Sequence, residues 1–294
     1  MKLKSAMFSV LVLFVFAGAF AWKSGGSNSH PALPYTAAVE RLEASEPNVE
    51  GRVPVLVELF TSEGCSSCPP ADALIARLVK TQPIEGVQVI ALKQHVDYWN
   101  RLGWKDRFSS ELFTERQNLY AVRFGNNSVY TPQMVVDGLE EFVGSDEARA
   151  RRAIKAAAQK PKAAIKLEWQ HPKGDPNFRQ SLKVTISPPA APPGESVLLM
   201  FALIEDAIHS EIRGGENAGK AIDHFGVVRS LEDMQHFSED KISSTKDISL
   251  SIDLTRIRAS DLTPMNLRAV VFLQGERSGR IFAAGSVPYS QPQP

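Results

Sequence analysis

Two cysteines are all the chain has, and they lie three positions apart in Cys65-Ser66-Ser67-Cys68. A vicinal dithiol can exchange electrons with other thiols, hold a soft or borderline metal such as Cu(I) or Zn(II), or close into a structural disulfide. The flanking residues bear on the choice. Val53 to Phe60 is a short apolar run that reads as a buried strand, ended by Thr61-Ser62-Glu63-Gly64. Pro69-Pro70 then suit the first turn of a helix, where a missing N–H costs nothing. From Ala71 to Lys80 the spacing of Leu74, Ile75 and Leu78 is helical. The dithiol therefore sits where a strand gives way to a helix. Free N–H groups and the helix dipole favour negative charge there, which lowers a thiol pKa, and the thiolate is the nucleophile. Cys65 would be the more exposed attacker, and Cys68, inside the first turn, the resolving thiol.

The competing chemistries have weaker support. A zinc site wants four ligands; there is no second Cys-x-x-Cys, and His95 is one candidate third ligand beside Cys65 and Cys68. A structural disulfide across so short a loop adds little chain-entropy stabilisation. Redox use is the leading reading, with no cofactor beyond the disulfide itself and a metal only under the alternative. A second group of polar and aromatic residues, His95, Asp97, Tyr98, Trp99 and Trp104, follows the strand predicted over Val87 to His95. Ligands gather at such strand ends in open α/β sheets. The group could line a groove beside Cys65; equally, Trp99, Trp104 and Phe108 could be the apolar face of a helix within Asp97 to Phe124.

The remaining elements divide the chain. Met134 to Val136 reads as a strand ending in the turn Asp137-Gly138, and Asp146 to Lys160 as a helix capped by Ser145 or Asp146. Beyond Pro161 short alternating runs recur at Ala164–Trp169, Ser181–Ser187, Ser196–Ile204, Asp247–Leu254, Leu267–Gln274 and Arg280–Val287, with Val227 to Leu231 a further one. Evenly spaced short strands without long helices predict a β-sandwich. The expected architecture is an α/β domain over 50–160 with a helical insertion, then an all-β, sandwich-like domain over 161–290. In the second domain, Glu216, Asn217, His224 and Arg229 lie in and after a Gly-rich stretch. Such a loop could reach the dithiol or a partner, or simply hold its own turn and the domain interface.

The chain has 294 residues, 43% of them hydrophobic and 22% charged, with 33 basic against 33 acidic side chains. That is globular composition with no electrostatic case for nucleic acid as a partner. Lys2 and Lys4 precede an uncharged, mostly apolar run to Ala21 that closes on Ala19-Phe20-Ala21. This is the layout of a secretory signal peptide over 1–21, followed by a Ser/Gly/Pro-rich tether over 22–49. An uncleaved anchor is the other reading of the run; after cleavage no membrane span remains. Export would place the cysteines in an oxidising compartment, with exported thiol or disulfide proteins as partners.

The run Tyr130-Thr131-Pro132-Gln133-Met134 resembles the thioredoxin superfamily, in which a cis-proline before a strand sits against the reactive disulfide. The resemblance implies that role for Pro132, with Thr131 beside it. It further implies that Glu58 corresponds to the family's buried acid, which moves a proton from the resolving thiol; otherwise Glu58 is an ordinary strand carboxylate. The Ser66-Ser67 dipeptide and the long Asp97–Phe124 connection depart from the minimal thioredoxin pattern. Leu59 to Asp72, His95 to Asp106, Tyr130 to Met134, and Gly215 to Lys220 with Val227 to Arg229 resemble the DUF1223 family of secreted bacterial proteins, whose activity is not established. That resemblance implies fold and compartment and leaves the substrate open.

Overall fold

The structure, a computed structural model, describes residues 51–170, 180–187, 194–242, 247–252 and 262–289. The predicted signal segment and tether lie outside these residues. All described residues fall in one compact unit, Glu46–Pro294.

The first half is a strand–helix–strand unit followed by a hairpin and a helix. Strand β1 (Val53–Thr61) leads through the cysteines into α1 (Pro69–Thr81), and β2 (Val87–His95) returns parallel to β1. A single 3-10 turn at Asn100–Leu102 precedes α2 (Glu111–Phe124). Strands β3 (Gln133–Val136) and β4 (Glu140–Val143) form an antiparallel hairpin, and α3 (Glu147–Ala158) follows. The local reasons match the residues. Pro69 and Pro70 open α1, the Ser110 hydroxyl accepts from Leu112 N–H at the start of α2, and the Asp146 carboxylate accepts from Arg149 N–H at the start of α3.

Strands β5 (Ala164–Gln170), β6 (Gln180–Ser187), β7 (Val197–Glu205), β8 (Ile208–Glu211), β9 (Ala221–His224) and β10 (Val227–Phe237) follow. A short helix α4 (Glu239–Ile242) precedes β11 (Asp247–Ile252), β12 (Leu267–Gly275) and β13 (Ile281–Pro288). The strand expected to reach Leu254 is described only as far as Ile252.

The expected division into an α/β domain and a separate β-sandwich is not what the described residues show. One eight-stranded mixed sheet runs through both halves in the order β13-β12-β7-β10-β2-β1-β3-β4. The seam is narrow: Val227 of β10 pairs with Lys93 of β2, and Lys93 N–H donates to Gly226 C=O at 2.7 Å. A strand predicted from alternation alone carries no mark of which strand it will neighbour, so sequence placed β10 within the second half only. A separate three-stranded sheet, β11-β6-β5, packs its Leu182, Val184 and Ile186 on Leu199, Phe201, Val271 and Leu273 of the large sheet.

Alternation along the strands sorts side chains to the two faces. Val55, Val57 and Leu59 of β1 meet Leu74, Ile75 and Leu78 of α1 and Ala150, Ile154 and Ala157 of α3. Leu56 of β1, with Ile90 and Leu92 of β2, faces the other way and packs with Phe113 of α2 and with Met200, Ala202 and Phe272 beyond the seam. Helix α2 thus spans both halves. Among the described residues no helix is long and apolar enough to cross a membrane.

Candidate functional site

The cysteines close into a Cys65–Cys68 disulfide with Cα atoms 5.4 Å apart, at the entry to α1. Cys68 is the N-cap residue, and its carbonyl accepts from Ala71 and Asp72 N–H. The expectation that Cys65 would be the exposed member of the pair is not met. Both cysteines are fully buried, while Ser66 and Ser67 between them are exposed.

Three segments close over Cys65. From the β3 side, the Thr131–Pro132 peptide is cis, Pro132 is buried, and Thr131 Oγ1 donates to Cys65 Sγ at 3.3 Å. Ser67 Oγ also lies 3.3 Å from that sulfur. From the loop after β2, Trp99 Nε1 donates to Thr131 Oγ1 at 2.8 Å. Trp99 therefore orients the hydroxyl that touches the sulfur. Neither Trp99, Trp104 nor Phe108 lies on α2; all three precede it, in the turns between β2 and the helix.

The third segment comes from the second half of the chain. Asn217, fully buried, donates from Nδ2 to Glu63 C=O and Cys65 C=O, both at 2.8 Å. The neighbouring Glu216 carboxylate accepts from Ser66 N–H at 3.1 Å. Of the two sequence readings of this Gly-rich loop, the one that takes it to the dithiol describes its position. Glycine makes the approach possible: a Cβ on Gly214 would fall 2.5 Å from Gly103 C=O.

A chain of buried ionisable groups flanks the motif. Asp72, in the first turn of α1, pairs with Lys93 Nζ at 2.9 Å, and Lys93 Nζ lies 2.6 Å from His224 Nδ1. Lys93 can only donate, so His224 Nδ1 accepts and its Nε2 carries the proton, 3.2 Å from Glu63 Oε1. Trp104 Nε1 donates to the other Glu63 oxygen at 2.7 Å. Burial, then the Lys93 ammonium, push the His224 pKa down to about 4, so the imidazole is neutral at pH 7. Burial raises the Glu63 carboxyl, but the His224 ring 3.2 Å away and the Trp104 hydrogen bond outweigh it and hold the group below the usual carboxylate range. Sequence reasoning passed over Glu63, Asp72 and Lys93. The available signal was a charged residue on the α1-facing side of β2, where Val87, Val89 and Ala91 otherwise alternate.

The other expected site residues are placed as follows. His95 is buried, with Nδ1 2.6 Å from Asp106 Oδ2 and its ring 5.2 Å from that of His224. Asp106 is raised by burial, yet the His95 charge and hydrogen bond and the Glu63 and Phe108 N–H groups bring it down to about 2. Asp97 Oδ1 accepts from Thr114 Oγ1 at 2.6 Å and so ties its loop to α2. Arg229 lies over the Phe108 ring and 3.5 Å from Glu205. Among the described residues no group of three or more His, Cys, Asp or Glu side chains is arranged to hold a metal ion.

Glu58 is not brought to the dithiol. It alternates with Val57 and Leu59, which face α1, so it points to the α2 side. There Arg116 clamps it bidentately at 2.6 and 2.9 Å, Gln94 Nε2 donates at 2.6 Å, and the Tyr120 hydroxyl also donates. Burial and the Glu58 charge raise the Tyr120 pKa far above its ordinary value.

Known proteins place this geometry in context. The model of the family described as "Protein of unknown function (DUF1223)" matches residues 56–274. The fold is similar to that of protein AGR_C_4864 from Agrobacterium tumefaciens, at 24% identity and a TM-score of 0.60, over 81% of this chain and 96% of that one. It is also similar to HBP35 of Porphyromonas gingivalis, at 14% identity and a TM-score of 0.55, over 83% of this chain and 77% of that one. No curated protein matches the chain. With the family model spanning the motif, the seam and the loop that crosses to Cys65, this chain belongs to the DUF1223 family.

Proposed function

We propose that the chain is an exported thiol–disulfide oxidoreductase acting on protein thiols through Cys65 and Cys68. The observation that carries the reading is the closed disulfide at the start of α1 with the Thr131 hydroxyl on Cys65 Sγ. In the oxidising direction, a substrate thiolate attacks Cys65 Sγ, the Sγ–Sγ bond breaks, and Cys68 leaves as a thiolate. A second substrate thiol, as its thiolate, then attacks the substrate sulfur of the mixed disulfide and releases Cys65. Two substrate thiols lose two electrons and two protons, and the cysteine pair gains them. The reverse sequence reduces a substrate disulfide. Thr131 and Pro132 shape the surface that a partner meets, and Trp99 holds the Thr131 hydroxyl. The 50–160 segment supplies the dithiol and the 161–290 segment supplies the loop over it. Glu58, sealed by Arg116, is assigned no proton transfer. The signal-like run before residue 22 supports export.

One observation favours a second reading. With both cysteines fully buried, the bond is sheltered as a structural disulfide would be. The redox equilibrium of the pair against a glutathione buffer separates the two. A potential within about −120 to −270 mV is expected of an exchange catalyst, and one below about −300 mV marks a structural bond. Cys65→Ser should abolish exchange with a thiol substrate; an active Cys65→Ser protein overturns the mechanism.

A further inference from the structure

Glu216 stands apart from the other acids around the motif. Glu63 meets His224 and Trp104, Asp72 is paired with Lys93, and Asp106 with His95. Of the crossing loop's two cations, Arg213 and Lys220, Lys220 gives its Nζ to Asn217 Oδ1 at 2.8 Å, and Arg213 forms no ion pair with Glu216. Thr131 and Trp99 are neutral. Among the described residues no cation pairs with Glu216; its carboxylate rests on the Ser66 N–H, next in sequence to Cys65. It is brought there by a loop that is otherwise rigidly seated, since Asn217 is anchored on two buried carbonyls and Gly214 and Gly215 lie against Gly103 and Trp104.

An N–H at a helix entry favours an anion beside it. In the oxidised protein the anion is Glu216. Once the disulfide is reduced, the Cys65 thiolate must form beside that fixed negative charge, which opposes it. The same charge meets any partner approaching Cys65, and it is exposed, so salt screens it.

Resting on the oxidoreductase reading, we propose that Glu216 is a positioning and specificity-determining residue: it raises the proton affinity of Cys65 and selects neutral or basic thiol partners over anionic ones. The loop from the second half of the chain would then set which thiols the dithiol of the first half can use.

The test uses the full-length protein and the variants Glu216→Gln and Glu216→Lys. Thiolate formation at Cys65 is followed by ultraviolet absorbance against pH in a Cys68→Ser background, a readout that needs no access to the sulfur. Exchange is followed as the rate at which reduced protein with both cysteines reacts with glutathione disulfide, which is anionic, and with cystamine, which is cationic. Each protein–disulfide reaction moves two electrons from the protein dithiol to the small disulfide, releasing two small thiols. Glu216→Gln should move the Cys65 titration to lower pH. It should also reduce the cystamine-to-glutathione rate ratio roughly three- to tenfold, Glu216→Lys further, with high salt narrowing the differences. Unchanged titration and unchanged ratio in both variants overturn the proposal, and a shifted titration with an unchanged ratio removes the partner selection. If the wild type reacts with neither disulfide while the titration still shifts, the oxidoreductase reading fails and the influence of Glu216 on the thiol stands.

Discussion

Asn217 supplies what no residue near the motif in sequence does: a donor to the Glu63 carbonyl, and a second donor to the Cys65 carbonyl beside the Cys68 N–H. Those carbonyls belong to residues with almost no exposure, so removing the amide leaves the Glu63 acceptor unpaired and the Cys65 acceptor with the Cys68 N–H alone. Asn217→Asp keeps the shape and replaces the donor with a carboxylate. We expect a stability loss of about 2–4 kcal/mol, read as a lower urea midpoint of the oxidised protein. Glu216→Gln, changing an exposed group, should move the midpoint by about 0.5 kcal/mol or less. Equal effects of the two substitutions would show that the loop is not anchored through Asn217. The cysteine pair was legible because cysteine is rare in this chain and the two lie three positions apart, whereas Thr131-Pro132 was legible only through the resemblance carried by the run around it. Asn217 was legible only as a member of a Gly-rich loop, because an amide carries no sign of which carbonyls it will meet.

At the level of elements, the alternation of β1 and β2 decides which charged groups the disulfide lives with. Lys93 and His95 continue the α1-facing series of Val87, Val89 and Ala91, whereas Glu58 belongs to the opposite series with Leu56 and Phe60. The period-2 rule could have assigned Glu58 to the far face from sequence alone; its acidity drew attention that its parity should have withdrawn. The network on the α1 side has a measurable consequence. His224 is neutral in the fold, with its pKa lowered from 6.5 to about 4, so as pH falls the unfolded chain binds the proton first. The stability contributed is fully present above about pH 6.5 and is lost as pH falls toward about 4, on the order of 3 kcal/mol in all. Urea titrations at pH 7 and pH 4.5 should show a steeper decline for wild type than for His224→Gln, whose amide can accept from Lys93 and donate to Glu63 without titrating. Parallel declines would mean that His224 is not held neutral.

For the whole molecule, the two halves meet through more than the single β10–β2 pair. Arg116 of α2 joins Glu58 to Gln274 of β12, and Gln274 Nε2 donates to the Tyr120 hydroxyl at 2.9 Å. Ile281 N–H donates to Asp137 C=O at 2.9 Å, and Lys162 Nζ reaches the Asp137 carboxylate at 2.5 Å. At Gly138, whose φ is +65°, a Cβ would fall 1.9 Å from Gly279 C=O, so the β3–β4 hairpin and the β12–β13 turn touch backbone to backbone. Such contacts couple the halves, and urea unfolding followed by far- and near-ultraviolet circular dichroism should give one coincident transition. Two separated transitions would restore the division at residue 161.

What the sequence determined by itself is local. The register of apolar residues, the prolines at N1 and N2 of α1 and the Asp146 cap specify strands and helices from neighbours a few positions away. The cysteine spacing specifies the chemistry available. What tertiary structure alone decided is long-range. It joined β10 to β2, which turned two expected domains into one sheet, and it carried Glu216 and Asn217 some 150 positions along the chain to Ser66 and Cys65. Alternation tells a strand which face to bury, and it carries no information about which edge the strand will pair with. A polar loop residue likewise shows its capacity to hydrogen-bond, while its partner is chosen by packing that only the folded chain completes.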